Sequence, residues 1–573
     1  MPSPLSSDCS LPRRHADFRT LTEAIDYAAG GGRGLNFYSG RGQLLEVLSY
    51  ADLATQARSL ARRMLRSGIA AGDRIALIAE TDADFVRAFC ACQFAGAIPV
   101  PLPLPMPFGG REGYIAHLRG MITAARSSGL LGPDALSSWI AEAAEGLGLR
   151  VVGSLAVFDG VAEDGVELPV ISEDEVAYLQ FSSGSTRFPM GVTVTHRALM
   201  ANTRAIAVNG LAVRDGDRGV SWLPFYHDMG LVGFLLTPLA SQVTIDFLPT
   251  REFARRPLTW LSVLAANGGT LSYSPSFGYE LCARRAATAS TDGLDLSRWR
   301  AAGIGGDMIR PHVLAGFAET FAPRGFDARA FVASYGMAEA TLAVSFAPLD
   351  RGIETSRVDM DVLEEDGNVV PPGAATARSR EFVLCGAPLP DHAVELRDPD
   401  GAVVPEGRVG RIFVRGPSMM RDYFDQPEET QRVLSADGWL DTGDLGYLAG
   451  GALVITGRAK DLIIVNGRNI WPQDLEWTAE QLDALRSGDA AAFSVDDGGD
   501  GEAVVLLVQC RLSNAEARTA LKAAVAGAVR AEHGVEAEIV LVPPHSLPQT
   551  SSGKLSRARA RRLYVEGRFA DAA

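Results

Sequence analysis

Cysteine is scarce in this chain, and none of it is grouped. Cys9, Cys90, Cys92, Cys282, Cys385 and Cys510 form no CxxC pair and have no histidine at ligand spacing, which argues against a disulfide framework or a zinc site and fits a reducing cytoplasm. An excess of base is missing too: 54 Lys and Arg against 69 Asp and Glu leave a net charge of -15, which disfavours nucleic acid or an anionic membrane as a general partner. Long apolar runs are also absent. The longest uncharged run, Ala88 to Gly110, holds Pro99, Pro101, Pro103, Pro105 and Pro107, which no spanning helix accommodates, and the first 20 residues carry Arg13 and Arg14 without an apolar signal core.

What remains is a globular composition, 47% hydrophobic and 21% charged over 573 residues, too long for one ordinary domain and ample for a large core. Residues 1 to 19 read as disordered, and Thr20 with Glu23 forms a capping box before an Ala-rich helix. From Ser49 to Gly68, Leu53, Ala57, Leu60 and Met64 recur at helical spacing; Asp73 to Ala79 is a short apolar strand, with Thr81 placed to cap the next helix. Strands are expected near Ile75, Tyr178, Val192, Gly219, Thr244, Thr270, Ala301 and Phe331, alternating with helices or loops, the pattern of a mostly parallel, covered α/β sheet. Turns at Pro399-Asp400-Gly401 and Pro405-Glu406-Gly407 mark a small β subdomain over 381–457. A boundary at Arg458 to Asp461 then opens a second α/β unit. It holds a helix from Gln473, a hairpin turning at Asp496 to Gly501, a helix over Ser513 to His533 and a strand over Glu536 to Val542.

Five stretches carry candidate chemistry. Tyr178 to His196 (YLQFSSGSTRFPMGVTVTH) reads as strand, loop, strand; its Ser182, Ser183, Gly184, Ser185, Thr186 and Gly191 suit a nest for phosphate oxygens, although a surface hairpin loop has the same composition. It lacks the GK[ST] ending of a Walker A loop. SWLPFYHDMGLVGF (Ser221 to Phe234) offers His227 and Asp228, which could equally be a helix cap, and VASYGMAEAT (Val332 to Thr341) offers Glu339, either a cap or a metal ligand. DGWLDTGDLG (Asp437 to Gly446) and the following ITGRAKDLIIVNGRN supply Asp444, Arg458 and Lys460, and LPQTSSGKLSR (Leu547 to Arg557) supplies Lys554.

In this order and at these separations the five stretches resemble the adenylate-forming superfamily of acyl-CoA synthetases, peptide-synthetase adenylation domains and luciferases, from about Thr20 to Tyr564. The runs PVPLPLP (Pro99 to Pro105), SYSPSFGYELC (Ser272 to Cys282) and YGMAEAT are similar to the fatty acyl-AMP ligases within it. A polar segment, Arg357 to Arg380, stands where those ligases carry an insertion that coenzyme-A-using relatives lack.

The resemblance implies a large N-terminal adenylation domain over 20–459 and a mobile C-terminal domain over 460–573. It further implies a fatty acid activated by ATP to acyl-adenylate, then passed to the phosphopantetheine thiol of a separate acyl carrier protein, since the chain stops at Ala573 without room for a fused carrier. Lys554 would bridge carboxylate and α-phosphate, while Glu339 and Thr186 would hold Mg²⁺. Asp444 and Arg458 would bind ribose. Tyr335, with Ser334, Gly336 and Met337, would flank adenine, opposite Gly305, Gly306 and Asp307. His227, Met229, Gly230, Pro275 and Phe277 would border the acyl group, with slot walls in Met229 to Phe247 and Ser272 to Tyr279, and Lys460 would be the hinge. Two positions depart from the family pattern: Arg187 replaces a glycine, and Met190 replaces the lysine that contacts the β- and γ-phosphates, so Arg187 is expected to supply the missing charge. Ala338 and Asp307 replace the more common threonine and glutamate. Rival readings are an acyl-CoA synthetase and an adenylate-binding protein without turnover.

Overall fold

The computed structural model describes residues 3–6, 11–105, 110–182, 190–374, 376–465, 468–496, 502–550 and 554–569. The expected strands all form, but they divide among three sheets. The largest has nine strands, in which Gly34–Tyr38, Thr244–Phe247, Arg218–Ser221, Leu271–Ser274, Ala301–Ile304 and Phe331–Gly336 run parallel and antiparallel strands close both edges. Arg74–Ile78 sits instead in a separate four-stranded parallel sheet with Ile98–Leu102, Gly129–Leu131 and Val151–Gly153. Val176–Phe181 and Gly191–Thr195 form an antiparallel hairpin, joined by Asp422–Tyr423 as a third strand. Apolar patterning records that a strand is covered, whereas its partner is chosen by packing far along the chain.

Local capping signals hold at several helix starts. Ser49 accepts the Asp52 amide at the head of Tyr50–Arg66, which buries Leu53, Ala57, Leu60 and Met64, and Thr20 accepts the Glu23 amide as expected. The helix Ala83–Ala95 is capped by Asp82, however, not Thr81: the Asp82 carboxylate accepts the Phe85 amide at 2.8 Å. Residues 11–19, expected to be disordered, lie against the large domain. Arg13 donates to Asp215 and to the Ser241 carbonyl, the Ala16 amide reaches the Ala240 carbonyl at 3.0 Å, and Ala16 and Phe18 are buried. Their polar composition concealed contacts that run through backbone carbonyls.

Between Ala393 and Arg458 four antiparallel strands make the small β subdomain. The polar segment before it is a folded unit: Thr355–Asp359 pairs with Ser379–Val383 around the helix Met360–Asp366, whose Leu363 is fully buried. Beyond Ile463 a second core forms from residues such as Leu475, Leu506, Val525 and Leu541, under the three-stranded sheet Ala490–Asp496, Glu502–Gln509 and Ala537–Val542. Trp471 nevertheless packs with the large-domain core, and Gly457 leaves it room, since a Cβ there would lie 2.6 Å from the indole.

The two domains meet through ion pairs. Arg310 bonds Glu480 at 3.1 Å and also Ser487; Arg380 pairs with Asp474 and stacks over Phe382 and Trp477 at 4.2 and 4.9 Å; Arg468 reaches Glu364 in the folded insertion.

Candidate active site

A cavity of about 1050 Å³ opens where the nine-stranded sheet, the hairpin, the β subdomain and the small domain converge. Ser182 closes the hairpin: its amide donates to the Met190 carbonyl at 2.8 Å, while its Oγ is buried on the cavity wall with no partner among the described residues. An orphaned hydroxyl at that point suits an oxygen-rich ligand. Ser183, Gly184, Ser185, Thr186 and Arg187 lie outside the described residues.

The strand Asp422–Tyr423 explains how Glu339 is held. Pairing of Tyr423 with Val192 brings the phenol to the cavity, where Tyr423 Oη donates to Glu339 Oε1 at 2.8 Å and the Met420 amide holds the Glu339 carbonyl at 2.7 Å. Burial raises the Glu339 carboxyl above its ordinary range, only partly offset by the Tyr423 bond. At the end of the strand Phe331–Gly336, Tyr335 Oη donates to Asp444 Oδ2 at 2.7 Å. Asp444 and Arg458 are cross-strand partners, and Arg458 Nε lies 3.4 Å from Asp444 Oδ1. Burial raises the Asp444 carboxyl as well, against the pull of Arg458, Tyr335, Lys554 and Lys460. Gly336 is needed here because a Cβ would stand 1.8 Å from the Leu342 carbonyl oxygen.

His227 Nδ1 lies 2.6 Å from Asp228 Oδ1, and the same carboxylate accepts the Met229 amide at 2.7 Å, so the pair caps a helix while facing the cavity. Burial pushes the Asp228 carboxyl up, but His227 and Lys554 together hold it below the usual range. Lys554 comes from the small domain and is held by Thr550, whose amide donates to the Lys554 carbonyl at 2.8 Å and whose Oγ1 accepts the Lys554 amide at 3.2 Å. One cation thus acts on carboxylates from two parts of the large domain.

Residues 43–424 match the family described as AMP-binding enzyme. The chain belongs to that family. A Caulobacter vibrioides protein provisionally described as an acyl-CoA synthetase is 55% identical over 100% of this chain and 99% of its own length. The medium-chain-fatty-acid–acyl-carrier-protein ligase JamA of Moorena producens is 31% identical over 96% of each. A solved structure from structural and functional studies of fatty acyl-adenylate ligases from E. coli and L. pneumophila overlays with a TM-score of 0.93 at 48% identity, covering 97% of this chain and 100% of the other. The protein is therefore an ATP-dependent, AMP-forming ligase that makes acyl-adenylates, with the two-domain α/β fold of adenylate-forming enzymes, and the reading as an adenylate-binding protein without turnover falls away.

Within this AMP-binding enzyme the apolar arm of the cavity is formed by Ile206, Leu211, Phe234, Tyr273, Leu342 and Phe346. The first comes from the wide-turned segment Ile206–Gly210 and Phe234 from a second such segment, Met229–Leu236. Of the expected slot Met229 to Phe247 only Met229, Gly233 and Phe234 face the cavity; Thr244–Phe247 is a buried strand of the main sheet, spent on the core. From Ser272 to Tyr279, Tyr273, Ser276 and Phe277 line it, with Phe277 at the rim, 42% exposed and edge-on to Trp222. Tyr273 lies across Gly303, where a Cβ would stand 1.8 Å from the ring.

Gly306, Asp307, Ser334 and Met337 line the cavity as expected, as does Lys460; Gly230, Pro275 and Gly305 do not. Those three shape the backbone behind it: a Cβ on Gly230 would meet the Pro224 carbonyl oxygen at 2.1 Å, a Cβ on Gly305 would meet Ser334 at 2.9 Å, and Pro275 precedes the helix Ser276–Ala286. Sequence reasoning missed Tyr423 and Arg557. Arg557 binds Glu476 at 2.7 Å and Asp461 at 3.3 Å, tying the start of the last helix to the segment that follows Arg458. A lone Tyr and one Arg among several offer no pattern that would reveal them.

No helix among the described residues is long and apolar enough to cross a membrane.

Proposed function

We propose that this protein is a fatty acyl-AMP ligase that adenylates a medium- or long-chain fatty acid and passes the acyl group to the phosphopantetheine thiol of a separate carrier protein. The observation that carries the reading is the single cavity in which Lys554 of the small domain faces Asp228 and Asp444 while an apolar arm leads away between Phe234, Tyr273 and Phe346. The fatty acid is ionised at neutral pH, so no base is required. Its carboxylate oxygen forms a bond to the α-phosphorus as the bond to the β-phosphate oxygen breaks, and pyrophosphate leaves.

Two anions meet in this step, and Lys554 supplies the fixed positive charge between them. Asp444 and Arg458 hold ribose, Tyr335 and Gly306 flank the base, and His227 positions the acyl carboxylate. Glu339, half-buried and bonded by Tyr423 alone among the described side chains, suits a Mg²⁺ ligand, with Thr186 as its expected companion; the ion would neutralise phosphate charge. Hinge rotation at Lys460 withdraws Lys554 and admits a thiol, which attacks the acyl carbonyl and displaces AMP.

Transfer to a carrier rather than to coenzyme A is favoured by the folded insertion, whose Arg380 and Glu364 hold the small domain through Asp474 and Arg468, and by the similarity to JamA. Coenzyme A is the second reading, favoured by the description of the Caulobacter relative. One assay separates them: ATP, Mg²⁺ and fatty acids of graded length are supplied, followed by coenzyme A or a phosphopantetheinylated carrier. Pyrophosphate release with acyl transfer to the carrier alone is expected; acyl-CoA formation at a comparable rate overturns the carrier reading.

A further inference from the structure

The small domain ends in the helix Arg557–Val565, and from Lys554 to Phe569 the chain carries six basic side chains against one acidic residue, Glu566. This is the reverse of a protein whose net charge is -15. Lys554 and Arg557 face the cavity, and Arg561 donates to the Ser494 carbonyl at 2.8 Å. Arg559, Arg562 and Arg568 are exposed, and none forms an ion pair among the described residues, unlike surface arginines such as Arg197, which pairs with Glu173 and Asp174.

The helix carries these charges at a cost. Its first turn holds Arg557 and Arg559 and no acidic residue, opposing the helix dipole, and Arg559 and Arg562 are like charges three residues apart. Its orientation is nonetheless fixed: Ala560 is buried and Tyr564 Oη donates to Glu538 at 2.8 Å, so the opposite face points outward with Val565, 66% exposed, beside Arg562. An unpaired basic face around one apolar side chain is complementary to an acidic protein surface. It is poorly suited to a bilayer, because a single valine gives no apolar face to bury.

Resting on the carrier reading above, we propose that Arg559, Arg562, Val565 and Arg568 form the docking surface for an acidic, phosphopantetheine-bearing carrier protein. The helix is about 14 Å long, and its first turn lines the cavity, so a carrier seated on its outer face lies within one helix length of the acyl-adenylate. Arg559 also lies within electrostatic reach of His117 on the large-domain helix Gly110–Ala124, which places this face along the seam between the domains.

The test compares the native protein with the triple variant Arg559→Glu, Arg562→Glu, Arg568→Glu and its Gln counterpart. Three measurements are made on each: pyrophosphate release with fatty acid alone, acyl transfer to the phosphopantetheinylated carrier of a bacterial fatty acid synthase, and transfer to free pantetheine. Expected are unchanged pyrophosphate release and pantetheine transfer, with a KM for the carrier raised about tenfold or more in the Glu variant and less in the Gln variant, kcat within about twofold, and a flattened salt dependence. A carrier KM unchanged by charge reversal overturns the docking surface while leaving the carrier reading intact. Absence of carrier transfer by the native protein overturns both. Loss of binding to phosphatidylserine vesicles without a change in carrier KM would assign the face to a lipid surface and overturn the proposal.

Discussion

Replacing Asp444 by Asn tests the nucleotide end of the cavity. Its carboxylate accepts Tyr335 Oη at 2.7 Å and faces Arg458 Nε at 3.4 Å. Asn keeps the shape and one acceptor, so Tyr335 retains a partner, but the amide NH₂ now opposes Arg458 and any ribose hydroxyl that donates there. A hydrogen bond to a charged group contributes about 1.5–3 kcal/mol, and about 1.4 kcal/mol is tenfold, so kcat/KM for ATP is expected to fall about 10- to 150-fold. The rate at saturating ATP stays within a few-fold. The assay is pyrophosphate release over graded ATP at saturating fatty acid, repeated with 2′-deoxy-ATP and 3′-deoxy-ATP. Native protein should discriminate against the deoxynucleotides by a similar factor, and the variant should not, because the contact is already gone. Burial raises the Asp444 carboxyl, so native KM for ATP should rise on acidification at a pH above the ordinary carboxylate value of about 3.9, and the variant's should not. Equal losses for all three nucleotides, or native protein indifferent to the deoxy forms, would refute Asp444 as the ribose acceptor.

Lys554→Ala should lower acyl-adenylate formation about 10²- to 10³-fold, the usual cost of one preorganised charge, while transfer from supplied acyl-adenylate to a thiol survives; an equal loss in both steps would remove the lysine from the adenylation step. Gly303→Ala pushes the Tyr273 ring toward the acyl arm, and should destabilise by about 1–3 kcal/mol in thermal melts and shift preference toward shorter acids; an unchanged chain-length profile would show that Tyr273 does not bound the slot. Burial pushes the Glu480 carboxyl up to about 7, despite Arg310, from a reference of 4.5. Glu480 therefore ionises, and its ion pair with Arg310 across the domain boundary forms, as pH rises through about 7; this contribution to closure is lost on acidification below it. A fluorescence-transfer pair across the domains should show closure strengthening as pH rises through that value, with the dependence removed in Glu480→Gln; a fall in closure with rising pH would reverse the assignment.

The fold and the site were legible in the sequence to different depths. Alternation and a hydroxyl-rich loop marked the hairpin at Tyr178 to His196, and Ser182, Glu339, Asp444, Arg458 and Lys554 do come to one cavity or its wall. The arrangement of strands into three sheets was not legible, because pairing such as Tyr423 with Val192 spans more than two hundred residues and leaves no local trace. The expected slot wall was misjudged beyond Phe234 for a related reason: an apolar run looks the same whether it faces a cavity or the core. Residues 11–19 were misread because their anchors are backbone carbonyls at Ala240 and Ser241, which composition cannot display. The expected exchange of roles between Arg187 and Met190 concerns a position outside the described residues; Met190 itself sits on the cavity wall and closes the hairpin through its carbonyl.

The ion pairs that join the domains act as a latch. Acyl-adenylate is a reactive mixed anhydride, and the chamber that makes it is walled on one side by the small domain, held by Arg310 with Glu480, Arg380 with Asp474 and Arg468 with Glu364. Any domain rotation that uncovers that side must first separate those pairs. The lifetime of the closed arrangement thus depends in part on a few arginines distinct from the residues assigned to the chemistry, where it can be tuned without altering those residues.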